Sequence, residues 1–136
     1  MRVVLDTNVL VAAFVARGHC HELVEHAARA HRLFTSEAIF AELRDELGGK
    51  LGAPAGTVRR TLDLLRSRMT IVDASPLPAP ACRDADDDRV LASAVAARAD
   101  CLVTGDADLL VLGTHAGIPI VRPADFWELE ARRREG

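Results

Sequence analysis

Lysine is nearly missing from this 136-residue chain: Lys50 is the only one among 17 basic residues. Tyrosine is absent, and one tryptophan and four phenylalanines supply all the large aromatic rings. With so few rings, base stacking is at most a minor part of any nucleic-acid contact. Cysteine is scarce too. Cys20, Cys82 and Cys101 are odd in number and no pair has metal-ligand spacing, which argues against a disulfide framework and fits a reducing compartment. There is no excess of positive charge; the formal net charge of −3 does not suit a domain that coats nucleic acid through basic surface. Long apolar runs are also lacking. The uncharged stretch Thr7 to Ala16 is too short to span a bilayer, and Arg2 followed so soon by Asp6 does not fit a signal peptide. These absences predict a cytoplasmic protein without a membrane span.

What is present is ordinary in bulk and informative in order. Hydrophobic residues make up 49% of the chain and charged residues 27%, as in soluble globular proteins. The length predicts one domain over residues 1–136 with a substantial core. The chain opens on Val3-Val4-Leu5, then Asp6-Thr7-Asn8, then Val9 and Leu10. An apolar run without alternation reads as a strand buried on both faces of a parallel sheet. Val9, Leu10, Ala13 and Phe14 then fall at helical spacing, so Asp6 stands where the strand ends and a helix begins. In open α/β sheets that edge is where ligands bind.

The same alternation continues. Further strands are predicted over 32–35, 70–73, 101–104 and 118–121. Helices are predicted over 7–15, 21–31, 37–47, 57–69, 84–99 and 123–134, with a helical turn over 108–112. Ser36 suits an N-cap, Gly48-Gly49 a helix stop, and Pro123 a first helical turn. Pro76, Pro78 and Pro80 make residues 74–83 an extended connector. Strands alternating with helices imply the α/β class: a central parallel sheet of about five strands sandwiched between helices, Rossmann-like in layering.

Carboxylates gather in this scheme. Asp6 and Asp106 each follow an apolar strand, so both fall on one edge of the sheet. On the 84–99 helix, Asp88 shares a stripe with Leu91, Ala92 and Val95, and a carboxylate on such a stripe is costly unless paired or bound to a cation. Asp86 and Asp87 are expected to point elsewhere, as first-turn acids favoured by the helix dipole, with Asp84 a weaker second candidate. On the 37–47 helix, Glu42 and Glu46 lie along one margin of the Ile39, Phe40, Leu43, Leu47 face, and periodicity does not choose between them. Several carboxylates in one cavity repel each other unless a counter-charge is present. Hard cations that prefer oxygen, Mg²⁺ or Mn²⁺, relieve that conflict and suit phosphodiester hydrolysis.

At this point the residues resemble the PIN-domain family of metal-dependent ribonucleases. Leu5-Asp6-Thr7-Asn8-Val9-Leu10 is similar to that family's opening motif, and Ser36-Glu37 through Phe40-Ala41-Glu42-Leu43 to its second. Asp87-Asp88-Arg89-Val90-Leu91, with Ala94 beyond, resembles the third, and Leu102-Val103-Thr104-Gly105-Asp106-Ala107-Asp108-Leu109 the fourth. The order and separations match over nearly the whole chain. The branch most similar contains the toxins of bacterial toxin–antitoxin pairs. The resemblance implies catalytic, metal-holding acids at Asp6, Glu42, Asp88 and Asp106, which selects Glu42 over Glu46. It implies supporting roles for Asn8 and Thr104, and an acidic position at Asp108, with Asp106 favoured as nearer the metal. It further implies Mg²⁺ or Mn²⁺ as cofactor, single-stranded RNA as substrate, a homodimer, and an antitoxin protein as partner.

Other readings weigh less. A phosphoacceptor switch domain and an aspartyl-nucleophile phosphatase both want a lysine after a late strand, and no lysine follows Lys50. A PIN-like module that binds RNA or protein without cutting is the main alternative, though all four acids of the motifs are present. His19-Cys20-His21 crowds its ligands together and lacks a fourth zinc partner. Arg59, Arg66 and Arg68 could meet phosphates, yet arginines on an amphipathic helix are usually solvated. Phe14, Phe34, Phe40 and Trp127 are expected in the core or at a dimer interface.

Overall fold

The computed structural model describes residues 1–135; Gly136, the last residue of the predicted domain, lies outside the described residues. Strand β1 (Arg2–Leu5) sits at the centre of a six-stranded sheet. Beside it lie β2 (Arg32–Thr35) and then β3 (Met69–Ile71) on one side. On the other side come β4 (Cys101–Val103), β6 (Ile118–Val121) and the short β5 (Thr114–His115). The order is β3-β2-β1-β4-β6-β5, with every pairing parallel except β5 with β6. The extra antiparallel strand is the one departure from the predicted five. It arises because Ala116 and Gly117 both adopt positive φ (52° and 77°), folding Thr114–His115 back along Ile118 in a tight two-residue hairpin.

The helices cover both faces: α1 (Thr7–Val15), α2 (His19–Ala30), α3 (Glu37–Asp45), α4 (Ala55–Arg68), α5 (Ala85–Ala96), α6 (Ala107–Leu110) and α7 (Pro123–Glu135). Helix α2 begins two residues before the predicted start at residue 21, so His19-Cys20-His21 forms its first turn. Ser36 does cap α3, its Oγ accepting from the Ile39 N–H at 3.4 Å. Gly48-Gly49 does not end that helix cleanly. The chain widens into a π-helical turn over Glu46–Lys50, closed by Leu51 N–H donating to the Glu46 carbonyl at 3.0 Å, and so keeps Leu47 buried.

The core forms one contiguous cluster around β1 and β4, where Val3, Val4, Cys101, Leu102 and Val103 are all inaccessible to solvent. Phe34 and Phe40 belong to it, whereas Phe14 and Trp127 are partly exposed. Arg2 ties β1 to the α5–β4 corner, its N–H donating to Asp100 at 2.7 Å and its Nε to the Ala97 carbonyl at 2.7 Å. No helix among the described residues is long and apolar enough to cross a membrane.

Phe126, fully buried, anchors α7. Truncating it, as Phe126→Ala, removes its burial and leaves a cavity, so urea unfolding should report a loss of about 3–5 kcal/mol.

Candidate metal centre

Parallel pairing of β1 with β4 aligns Leu5 with Val103, so the residues that follow emerge side by side at the carboxyl edge. Asp6 N–H donates to the Val103 carbonyl at 2.9 Å. The Asp6 carboxylate is almost wholly buried. Its Oδ1 accepts from Thr7 N–H at 2.7 Å, and its Oδ2 accepts from the Thr104 hydroxyl at 2.7 Å and from Asn8 Nδ2 at 3.1 Å. Asn8 Oδ1 in turn accepts from Gly105 N–H at 3.0 Å. Thr104 Oγ1 accepts from Asp106 N–H at 3.0 Å, and Asp106 Oδ1 from Asp108 N–H at 2.9 Å. Asn8 and Thr104 thus lock the two strand ends together and fix where Asp6 and Asp106 sit.

The third acid is a correction. Periodicity predicts Asp88 on the sheet-facing stripe, but the structure turns Asp87 inward. The buried residues of α5 are Asp87, Val90, Leu91, Ala92, Ser93 and Ala94, whereas Val95 is 40% exposed. Asp88 sits one position round the helix, where its Oδ1 accepts from the Ala81 and Cys82 N–H groups at 3.1 and 2.9 Å. It therefore clamps the proline-rich connector, along a groove of about 580 Å³ that includes none of Asp6, Asp87 or Asp106. The sequence signal for Asp87 is its place three residues before Val90 and seven before Ala94, beside the equally apolar register of Asp88 with Leu91 and Ala92.

Asp87, Asp106 and Asp108 each offer a carboxylate oxygen within 4.8 Å of the others. Asp108 also receives Arg83 Nη2 at 2.7 Å, a partner with no sequence signal. Glu42 lies at the margin, on the side of α3 that faces a cleft of about 320 Å³ shared with Asp86 and Arg89. Glu46 points out to pair with Lys50 at 3.0 Å.

The electrostatics follow from crowding. Burial raises the Asp6 carboxyl above its ordinary range against the hydrogen bonds from Thr104 and Thr7, and the Asp106 charge adds to the rise. Glu42 is raised first by burial and then by the charge of Asp6. Asp87 is pushed furthest, to about 7, by burial and by the adjacent Asp106 carboxyl. An all-oxygen set of acids that cannot all ionise together fits a hard divalent cation. The buried Thr7 hydroxyl beside Asp6 makes no close hydrogen bond and lies toward the Glu42 carboxyl, which it lowers against the effect of burial. Asp87, Asp106 and Asp108, whose oxygens converge, are the residues that could hold such an ion, with the buried Asp6 carboxylate beside them.

Comparison with known proteins agrees with this architecture. The PIN-domain profile matches residues 2–108. This chain belongs to the PIN-domain family. Among solved structures, those similar to it in fold include the crystal structure of VapBC2 from Rickettsia felis bound to a DNA fragment from their promoter. That match has a TM-score of 0.64 and 20% identity over 90% of this chain and 98% of that one. VapBC-1 from nontypeable Haemophilus influenzae is similar too, with a TM-score of 0.63 and 17% identity over 91% of this chain and 99% of that one. No curated protein matches the sequence.

Because the folded chain binds a proton at Asp87 more tightly than the unfolded chain does, stability without metal should fall as pH rises from about 4 to 7, then level off. Carboxyl ¹³C NMR of the metal-free protein should show Asp87 titrating near 7. The Asp106→Asn change should move that midpoint down.

Proposed function

We propose that this chain is a divalent-metal-dependent endoribonuclease that hydrolyses phosphodiester bonds in single-stranded RNA, carried on one domain spanning residues 1–136. The observation that carries the reading is the meeting of Asp6, Asp87 and Asp106, from three distant parts of the sequence, at one edge of the sheet. Asp6, Asp87 and Asp106 would hold Mg²⁺ or Mn²⁺, with Asp108 close enough to join them, Glu42 at the margin, and Asn8 and Thr104 orienting Asp6. When bound, such an ion supplies Lewis acidity, lowering the pKa of water and stabilising charge that develops on phosphoryl oxygen. The protein's own share is orientation and proton control. Asp6 is held rigidly by three donors, and Asp87, which without the ion keeps its proton up to about 7, must give it up when the ion binds.

Family membership supports a nuclease, and the likeness to toxin–antitoxin structures supports a toxin whose activity an antitoxin blocks. Half-exposed Phe14 and exposed Val15 at the end of α1 offer an apolar surface consistent with a homodimer. Phosphate contacts fall less readily to Arg66 and Arg68 than their spacing suggests. Arg66 is already bidentate on Glu37 at 2.9 and 3.0 Å, and Arg68 pairs with Glu25 at 3.2 Å.

Purified protein with Mn²⁺ should cut single-stranded RNA. Asp6→Asn, Asp87→Asn and Asp106→Asn should each lose more than about 100-fold in rate, and Asp88→Asn less than about tenfold. Indistinguishable products from wild type and Asp6→Asn at equal purity would leave a non-catalytic binding module as the better reading.

A further inference from the structure

A second group of metal-ligating side chains stands at the other end of the sheet. His31 immediately precedes β2, so it lies at the amino edge of the strands, a strand length of about 13 Å from the acidic edge. His26 projects from the last turns of α2, and Glu130 comes from α7. His26 Nε2 and His31 Nε2 both point at Glu130 Oε2, each at 2.6 Å. These three atoms lie within 4.8 Å of one another.

We propose that His26, His31 and Glu130 form a binding site for a borderline transition-metal ion of the Zn²⁺ class, separate from the acidic centre. Two imidazoles and one carboxylate are a ligand set of the kind that binds Zn²⁺ and its neighbours, and nitrogen donors select against Mg²⁺. Both nitrogens already converge on one oxygen. A tetrahedral ion with ligands at about 2.0–2.1 Å sets its donors roughly 3.4 Å apart, so entry needs only a small opening of the two 2.6 Å contacts. Glu130 is ionised despite its burial, because the two histidines hydrogen-bond to it. Access comes from the His26 side, which is 25% exposed while the other two side chains are nearly buried. The Trp127 ring, 4.8 Å from the His26 ring, and Phe126, 5.8 Å from that of His31, hold the imidazoles in place.

Two cations bear on the site. Arg134 lies 3.8 Å from the other Glu130 oxygen, and the Met1 amino nitrogen is 3.0 Å from His31 Nδ1. Because imidazole binds a metal only in its neutral form, uptake competes with protons.

The test is Co²⁺ titration of the untagged, chelator-stripped chain, read by visible absorption, beside ¹⁵N NMR of the histidines with Zn²⁺. One equivalent of Co²⁺ should develop ligand-field bands in wild type and in Asp106→Asn. His26→Gln, checked for folding by circular dichroism, should weaken uptake by more than about tenfold. In wild type, Zn²⁺ should shift the Nε2 resonances of His26 and His31 together. Bands lost in Asp106→Asn but kept in His26→Gln, or Nε2 resonances that ignore Zn²⁺, would overturn the site.

Discussion

The constraint on which the rest depends is repulsion held in place. Asp6, Asp87 and Asp106 would separate if they were free to move, and the fold prevents it. Register between β1 and β4 delivers Asp6 and Asp106 to one edge, and the Thr104 hydroxyl bridges them by donating to Asp6 while accepting from Asp106 N–H. Packing of Val90, Leu91 and Ala94 then fixes the rotation of α5 and drives Asp87 into the same space. Hydrophobic burial along that helix supplies the free energy that offsets the electrostatic cost. The result is a carboxyl whose proton affinity is raised close to neutrality.

Much of this was legible in the chain. Val3-Val4-Leu5 and Cys101-Leu102-Val103 carry no alternation because both faces are covered, and that pattern alone locates the two strands whose ends carry Asp6 and Asp106. Helix rotation was less legible. On α5, Ala92 and Ser93 are buried beside Leu91, so the covered arc is wide and its centre cannot be fixed from a few apolar positions. A shift of one residue exchanges Asp88 for Asp87. The β5 hairpin is hidden for another reason: two residues carry no periodicity, and the turn is made by Ala116-Gly117, of which only the glycine is a turn signal.

The histidine cluster was illegible in principle. His26 and His31 stand five apart, across the end of a helix, and Glu130 follows about a hundred residues later. The more conspicuous His19-Cys20-His21 proved to be the opening turn of α2, with His21 Nδ1 3.3 Å from the Ala13 carbonyl. Local spacing drew attention to one set of ligands while tertiary packing assembled another. The two polar centres sit at opposite ends of the strands, one rich in oxygen and one in nitrogen, so their preferences among divalent ions differ.

The acidic edge is best tested by a crystal grown with Mn²⁺ and measured for anomalous scattering. The account predicts a peak bounded by the carboxylates of Asp6, Asp87 and Asp106, with Asp88 still turned toward the Ala81 and Cys82 N–H groups. An edge without a peak, or a peak held by Asp88 with Asp87 turned away, would contradict it.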